Sequence, residues 1–162
     1  MNESFKNIAS SSTILLVEDN DDDAFLMHRA FRKAHLLNPL VRARSGEEAL
    51  AYLQGEGCYA NRDRFPLPFL LLLDLHMPGM NGFEVLQWVR GQPELKGILI
   101  VVLTSSTLEP DINQAYELGA NSYLTKPSNF DELVQLLGRV HGYWLMTNVA
   151  PEQCQPHEMQ LA

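Results

Sequence analysis

Five apolar residues in a row, Phe69-Leu70-Leu71-Leu72-Leu73, lie between Pro68 and the turn cluster Pro78-Gly79-Met80-Asn81-Gly82, and the run ends on one acid, Asp74. The run is too short for a spanning helix and too uniformly apolar for a strand with one wet face. It reads as a strand buried on both faces. Such strands belong to parallel sheets covered by helices on either side, and open sheets of that kind bind ligands at the carboxyl ends of their strands. Asp74 stands at that end, where a carboxylate loses hydration and needs a cation or hydrogen-bond donors in its place.

The rest of the chain repeats the alternation. Thr13 to Val17 is a second apolar run, ending in Glu18-Asp19-Asn20-Asp21-Asp22-Asp23, and Ala24, Met27, Ala30, Phe31 and Ala34 follow at helical spacing until Asn38-Pro39. Leu40 to Ala43 is a weak strand whose arginine places it near a sheet edge. Ser45-Gly46-Glu47-Glu48 has the spacing of a capping box and opens a helix through Leu53. Gly55 to Pro68 is loop, long enough to count as an insertion. Beyond Asp74, the pattern predicts a helix over Gly82 to Arg90, a buried strand over Ile98 to Leu103 followed by Thr104, and a helix over Asp111 to Leu118 closed by Gly119. A short strand over Ser122 to Thr125 then leads to Lys126-Pro127, and a last helix runs from about Phe130 to Asn148. The fold class is therefore α/β: a flavodoxin-like, doubly wound, five-stranded parallel sheet with helices on both faces.

With 162 residues and 46% hydrophobic content, the chain suffices for one domain with a sizeable core. Residues 13–148 are expected to form it, after a loose leader over 1–12 and before a disordered tail over 149–162. A net charge of −8 argues against a nucleic-acid surface. Arg42, Arg44, Arg62 and Arg64 are read as a solvated, scattered group. Cys58 and Cys154 are too few and too poorly spaced for a zinc motif or a disulfide framework. No stretch approaches the roughly 20 apolar residues of a membrane helix, and the amino terminus lacks the apolar core of a signal peptide. A soluble, cytoplasmic protein is expected.

In the predicted sheet, the strand ends bearing Glu18-Asp19, Asp74, Thr104 and Lys126 converge on one edge. Carboxylates without a His or Cys partner form a hard oxygen site, which prefers Mg²⁺ to zinc, with Glu18, Asp19 and Asp74 as ligands. Mg²⁺ also prefers phosphate oxygens, so the site suits a phosphoryl group. Lys126 supplies a mobile positive charge, Thr104 a hydroxyl, and Asp74, at the tip of the most buried strand, is positioned as nucleophile. The expected product is an aspartyl phosphate.

Val17-Glu18-Asp19-Asn20, Leu73-Asp74-Leu75-His76-Met77-Pro78-Gly79-Met80-Asn81-Gly82, Leu103-Thr104-Ser105-Ser106 and Tyr123-Leu124-Thr125-Lys126-Pro127 together resemble the receiver domain of two-component response regulators. The resemblance spans roughly Thr13 to Val140, and four ordered motifs are far more specific than any one alone. It implies that Asp74 accepts phosphate from a sensor histidine kinase. It also implies that Glu18, Asp19, Asp74 and the backbone carbonyl of His76 hold Mg²⁺, that Thr104 and Lys126 bind the phosphoryl oxygens, and that Tyr123 is the aromatic that rotates in the switch. In receivers the side chains two positions after the acceptor Asp and two after the Thr, here His76 and Ser106, help set the phosphate lifetime. His at 76 departs from the commoner residues there.

The insertion Gly55 to Pro68, Glu94-Leu95-Lys96-Gly97-Ile98 and the last helix with Tyr143-Trp144-Leu145 resemble, more narrowly, the single-domain, phytochrome-associated response regulators. That implies a bilin-binding phytochrome as kinase and a homodimer through Tyr143, Trp144 and Leu145. The last helix carries Phe130, Leu133, Val134, Leu137, Val140 and Trp144 as an ordinary amphipathic stripe, and Leu136, Tyr143, Leu145 and Met146 are extra to it. The bland alternative is a terminal turn that packs back on the domain.

Other bland readings apply. An acidic run at a helix start stabilises the dipole, and Asp21, Asp22 and Asp23 are read that way. His28, His35, His141 and His157 lack metal-ligand spacing and are read as structural or surface residues. With no further domain visible in sequence, output is expected to pass to an unidentified downstream protein, and the chain to be no enzyme beyond its own phosphorylation and dephosphorylation. Two alternatives stand beside this. One is a pseudo-receiver that binds partners unphosphorylated. The other is a phosphatase of the haloacid dehalogenase kind, which wants a second Asp where this chain has His76.

Overall fold

The structure, a computed structural model, describes residues 11–149. The expected leader up to Ser10 and the tail from Ala150, with Cys154 and His157, lie outside the described residues.

Strands β1 (Ile14–Val17), β2 (Leu40–Ala43), β3 (Leu70–Leu73), β4 (Leu99–Thr104) and β5 (Ser122–Thr125) form one parallel sheet in the order β2-β1-β3-β4-β5. Helices α1 (Asp21–Lys33), α2 (Gly46–Gln54), α3 (Gly82–Gly91) and α4 (Glu109–Glu117) make the crossovers, and α5 (Phe130–Val140) follows the last strand. Every residue of β1, β3 and β4 is buried, as their unbroken apolar runs require, and β2 and β5 take the half-exposed edges.

Alternation along each strand divides the core in two. Leu15, Val17, Leu71, Leu73 and Ile100 face Ala49, Tyr52 and Leu53 of α2 and Val85, Leu86 and Val89 of α3. Ile14, Leu16, Leu70, Leu72 and Val101 face Ala24, Met27, Ala30 and Phe31 of α1 and Leu133, Leu137 and Val140 of α5. A smaller cluster, Leu75, Val102 and Ala115, seats α4, with Phe83 and Tyr123 against it. The helix starts were legible from their caps. Asn20 accepts from the Asp23 N–H, Ser45 from Glu48, and Asn81 with Glu84 forms a reciprocal box.

Three expectations need correction. The last helix does not run to Asn148: α5 ends at Val140, and His141–Thr147 is a π-helical turn. Its wider spacing is visible in the Asn148 N–H donating to the Tyr143 carbonyl five residues back (2.6 Å), and the Thr147 hydroxyl donates to the Gly142 carbonyl (2.7 Å). Gly142, a poor helix former, sits where the winding changes. Trp144 and Leu145 consequently lie half-buried against the α1/α5 core, so of the three residues assigned to a dimer contact only Tyr143 is exposed (54%), beside Met146 (48%). Second, the four arginines are not uniformly solvated. Arg62 donates to the Tyr52 and Leu53 carbonyls, both at 2.7 Å, satisfying the end of α2, and Arg42 is described with the site below. Third, the insertion is organised rather than merely looped. Gly57–Ala60 forms a 3₁₀ turn, and Tyr59, tilted, and Phe65, edge-to-face, pack against Tyr52 with ring centroids 5.1 and 6.1 Å away.

Candidate functional site

The order β2-β1-β3 places the topological switch between β1 and β3, and their carboxyl ends open the cleft there. Ladder bonds carry the register into the site. The Asp74 N–H donates to the Val17 carbonyl (3.1 Å), the Glu18 N–H to Ala43 (3.0 Å) and the Lys126 N–H to Thr104 (2.8 Å). Glu18, Asp74 and Lys126 are thus each the first residue beyond a strand whose position the sheet dictates, and Thr104 is the last residue of β4. Gly82 closes the floor: a Cβ there would overlap the Asp74 carbonyl oxygen, so only glycine lets α3 start this close.

Glu18, Asp19, Asp74, His76, Thr104 and Lys126 all line this cleft. Glu18 is 1% exposed, Asp74 9% and Thr104 1%. Carboxylates so buried need an answer, and Lys126 provides it, its ammonium donating to Glu18 Oε2 (2.5 Å), Asp23 Oδ2 (2.9 Å) and, at longer range, Asp74 Oδ2 (3.4 Å). Burial pushes the Lys126 ammonium toward deprotonation, but the Glu18 hydrogen bond, the Asp74 charge and the Asp23 hydrogen bond outweigh it and raise the pKa above the usual lysine range. For Glu18 burial prevails over the Lys126 contact, and its pKa is raised. The Asn20 N–H holds its other oxygen at 3.0 Å.

Tyr123 stands beside the cleft. It is half-buried, and its hydroxyl donates to the Ser106 carbonyl (3.0 Å). Sequence reasoning passed over three residues. Asp23, taken for a helix-dipole residue, is an ion-pair partner of Lys126. Arg42 reaches from β2 to the Glu18 carbonyl (2.9 Å), the Asp19 carbonyl (3.0 Å) and Asp21 Oδ1 (2.7 Å), pinning the acidic loop from outside. Asp111, on α4, accepts from the His76 ring at 2.8 Å and from the Ser106 hydroxyl at 2.6 Å. An arginine on the strand beside an acidic loop was a signal for the second; nothing in sequence spacing pointed to the third.

Glu18, Asp19 and Asp74 each bring one oxygen to within 4.8 Å of the others. The donors are all carboxylate, which fits a hard divalent cation, and one ammonium facing three carboxylates leaves negative charge for it to answer. Residues 14–138 match the response regulator receiver domain.

The chain belongs to the response regulator receiver family. Response regulator Rcp1 of Synechocystis sp. is 40% identical to this receiver over 138 residues, covering 85% of this chain and 92% of Rcp1. The crystal structure of the phosphorylated cyanobacterial phytochrome response regulator RcpA superposes with a TM-score of 0.80 at 40% identity, over 87% of this chain and 99% of RcpA. The Mn(2+)-bound form of Rcp1 gives a TM-score of 0.76 at 38% identity, over 86% and 99% of the two chains. The receiver is therefore a signalling protein by family, and neither the haloacid dehalogenase reading nor the pseudo-receiver reading is favoured. Among the described residues no helix is long and apolar enough to cross a membrane.

Proposed function

We propose that this receiver accepts a phosphoryl group on Asp74 from a sensor histidine kinase of the bilin-binding phytochrome kind, and changes conformation to signal to a separate protein. The observation that carries the proposal is the convergence of a buried nucleophile, a carboxylate cluster and a single ammonium in one cleft. Mg²⁺, held by Glu18, Asp19, Asp74 and the His76 carbonyl, would neutralise the carboxylates and draw phosphate oxygens to the site.

The chain's own residues do the rest. One Asp74 oxygen attacks phosphorus as the bond to the donor's leaving group breaks, and the carboxylate becomes an acyl phosphate. Lys126 already spans the cleft, and its ammonium can turn from Glu18 and Asp23 to a phosphoryl oxygen. Thr104 brings its hydroxyl to another oxygen. The new group adds roughly −1.5 to −2 charges and three acceptors, so both contacts are charge-assisted. Moving a two-state element from mostly inactive to mostly active takes up to about 5.5 kcal/mol of differential stabilisation, and two such contacts supply much of it. Drawing Thr104 inward pulls the segment to Ser106, whose carbonyl holds the Tyr123 hydroxyl, and so releases Tyr123 to rotate. In this reading the chain's only chemistry is on itself.

The phytochrome kinase is carried over from the relatives, whereas a homodimer rests on this chain's own terminal turn. Tyr143 and Met146 are the exposed apolar residues of the terminal turn on which a dimer would draw. The test is phosphotransfer from an autophosphorylated bilin-binding histidine kinase to the full chain, followed on a phosphate-retarding gel. Label should move to the wild type and not to Asp74→Asn. Transfer to Asp74→Asn would overturn the acceptor assignment, and no transfer from any such kinase would overturn the partner.

A further inference from the structure

One carboxylate oxygen ties together the two loops that frame the acceptor. Asp111 stands in the first turn of α4, its side chain 16% exposed. Its Oδ2 accepts from His76 Nε2 at 2.8 Å, on the loop that follows Asp74, and from the Ser106 hydroxyl at 2.6 Å, on the loop that follows Thr104. An ionised carboxylate only accepts, so the proton of the first bond belongs to the imidazole Nε2. Ser106 is held three times more, its N–H toward Thr104 Oγ1 (3.4 Å), its carbonyl by the Tyr123 hydroxyl (3.0 Å) and its hydroxyl oxygen by the Leu108 N–H (3.3 Å). The His76 side chain is 59% exposed, yet it lines the cleft beside Asp74 and Thr104. A side chain that open would sample several rotamers, and the carboxylate selects one.

The geometry points to Asp111 as a positioning residue that sets the lifetime of the phosphorylated state, by holding the His76 ring at the wall of the acceptor cleft. The inference rests on the reading of Asp74 as phosphoacceptor. Hydrolysis adds the oxygen of a water molecule to phosphorus and breaks the bond between phosphorus and the Asp74 oxygen. Asp74 leaves as a carboxylate, and both water protons end on inorganic phosphate. Water must reach phosphorus through the cleft mouth, and an imidazole tethered there is a fixed obstacle. Freed of Asp111, the ring swings into solvent and the mouth widens. The tether also spans the loops after β3 and β4, so it restrains the segment that has to move when Thr104 closes on a phosphoryl oxygen.

The experiment loads the full chain with acetyl phosphate and Mg²⁺, removes the donor by rapid desalting, and follows the surviving phosphorylated fraction by intact mass. Asp111→Ala should shorten the half-life about three- to tenfold, the range a lost hydrogen-bonded contact commands. Asp111→Asn retains a carbonyl acceptor at the same place and should fall nearer the wild type. Because Asp111 acts through His76, adding Asp111→Ala to His76→Ala should change the half-life little further, a result that general loosening of the fold would not give. A wild-type half-life in Asp111→Ala, or effects that multiply in the double variant, would overturn the inference while leaving the acceptor reading intact. Failure of the wild type to take up phosphate from either acetyl phosphate or a kinase would remove both.

Discussion

At the carboxyl ends of β1 and β3, Glu18 and Asp74 are buried charges whose surroundings are specified atom by atom, whereas the turn His141–Thr147 at the other end of the described chain buries none of its residues fully. The cleft has little freedom because a desolvated carboxylate without a partner is costly, and each partner it requires sits at a strand end. The turn is governed by packing of a few apolar side chains, where several windings come close in energy. Charge in a dry place therefore dictates its neighbours far more strictly than apolar surface at a rim.

Removing the lysine should break the cleft most severely. Lys126→Met leaves Glu18, Asp23 and Asp74 facing one another, and should cost about 3 kcal/mol in urea unfolding without divalent cations. Mg²⁺ should return part of that loss, since a ligand of the folded state alone stabilises it by mass action. An unchanged midpoint would mean that the carboxylates hold their places without Lys126. Gly82→Ala comes next. Its methyl would meet backbone at Asp74 and Leu75 rather than a flexible side chain, so a loss of about 2 kcal/mol is expected, together with weakened phosphate uptake.

Smaller effects should come from the turn. Trp144→Ala removes a half-buried ring from the α1/α5 core and should cost about 1–2 kcal/mol, less than the 3–5 typical of a fully buried tryptophan. Tyr143→Ala with Met146→Ala should leave unfolding within about 0.5 kcal/mol for each change, as at other exposed positions, yet shift the oligomeric state by sedimentation. A wild-type monomer at micromolar concentration would end the dimer reading. A large loss of stability from Tyr143→Ala would put that ring in the core after all.

The same contrast explains how much could be read from the amino-acid order. Leu70 to Leu73 and Leu99 to Leu103 announced themselves because a strand buried on both faces leaves no room for polar residues, and the right-handed parallel topology then brought Glu18, Asp74, Thr104 and Lys126 to one edge. Backbone connectivity alone locates those positions. Asp23 and Asp111 escaped because their partners are set by side-chain reach: three residues past Asn20, one turn of α1 carries Asp23 back toward Lys126. Arg42 escaped because a charge on an edge strand looks solvated until the loop beside it is folded. The π-helical turn escaped because a heptad-like stripe through Trp144 suits a continuing α-helix, and one extra residue per turn is invisible in periodicity.

The measurement that bears most directly on the whole account is the intact mass of the purified chain after incubation with Mg²⁺ and acetyl phosphate, run beside Asp74→Asn. The account predicts one phosphate adduct on the wild type, labile to base, and none on the variant. An adduct of equal yield on Asp74→Asn would contradict it.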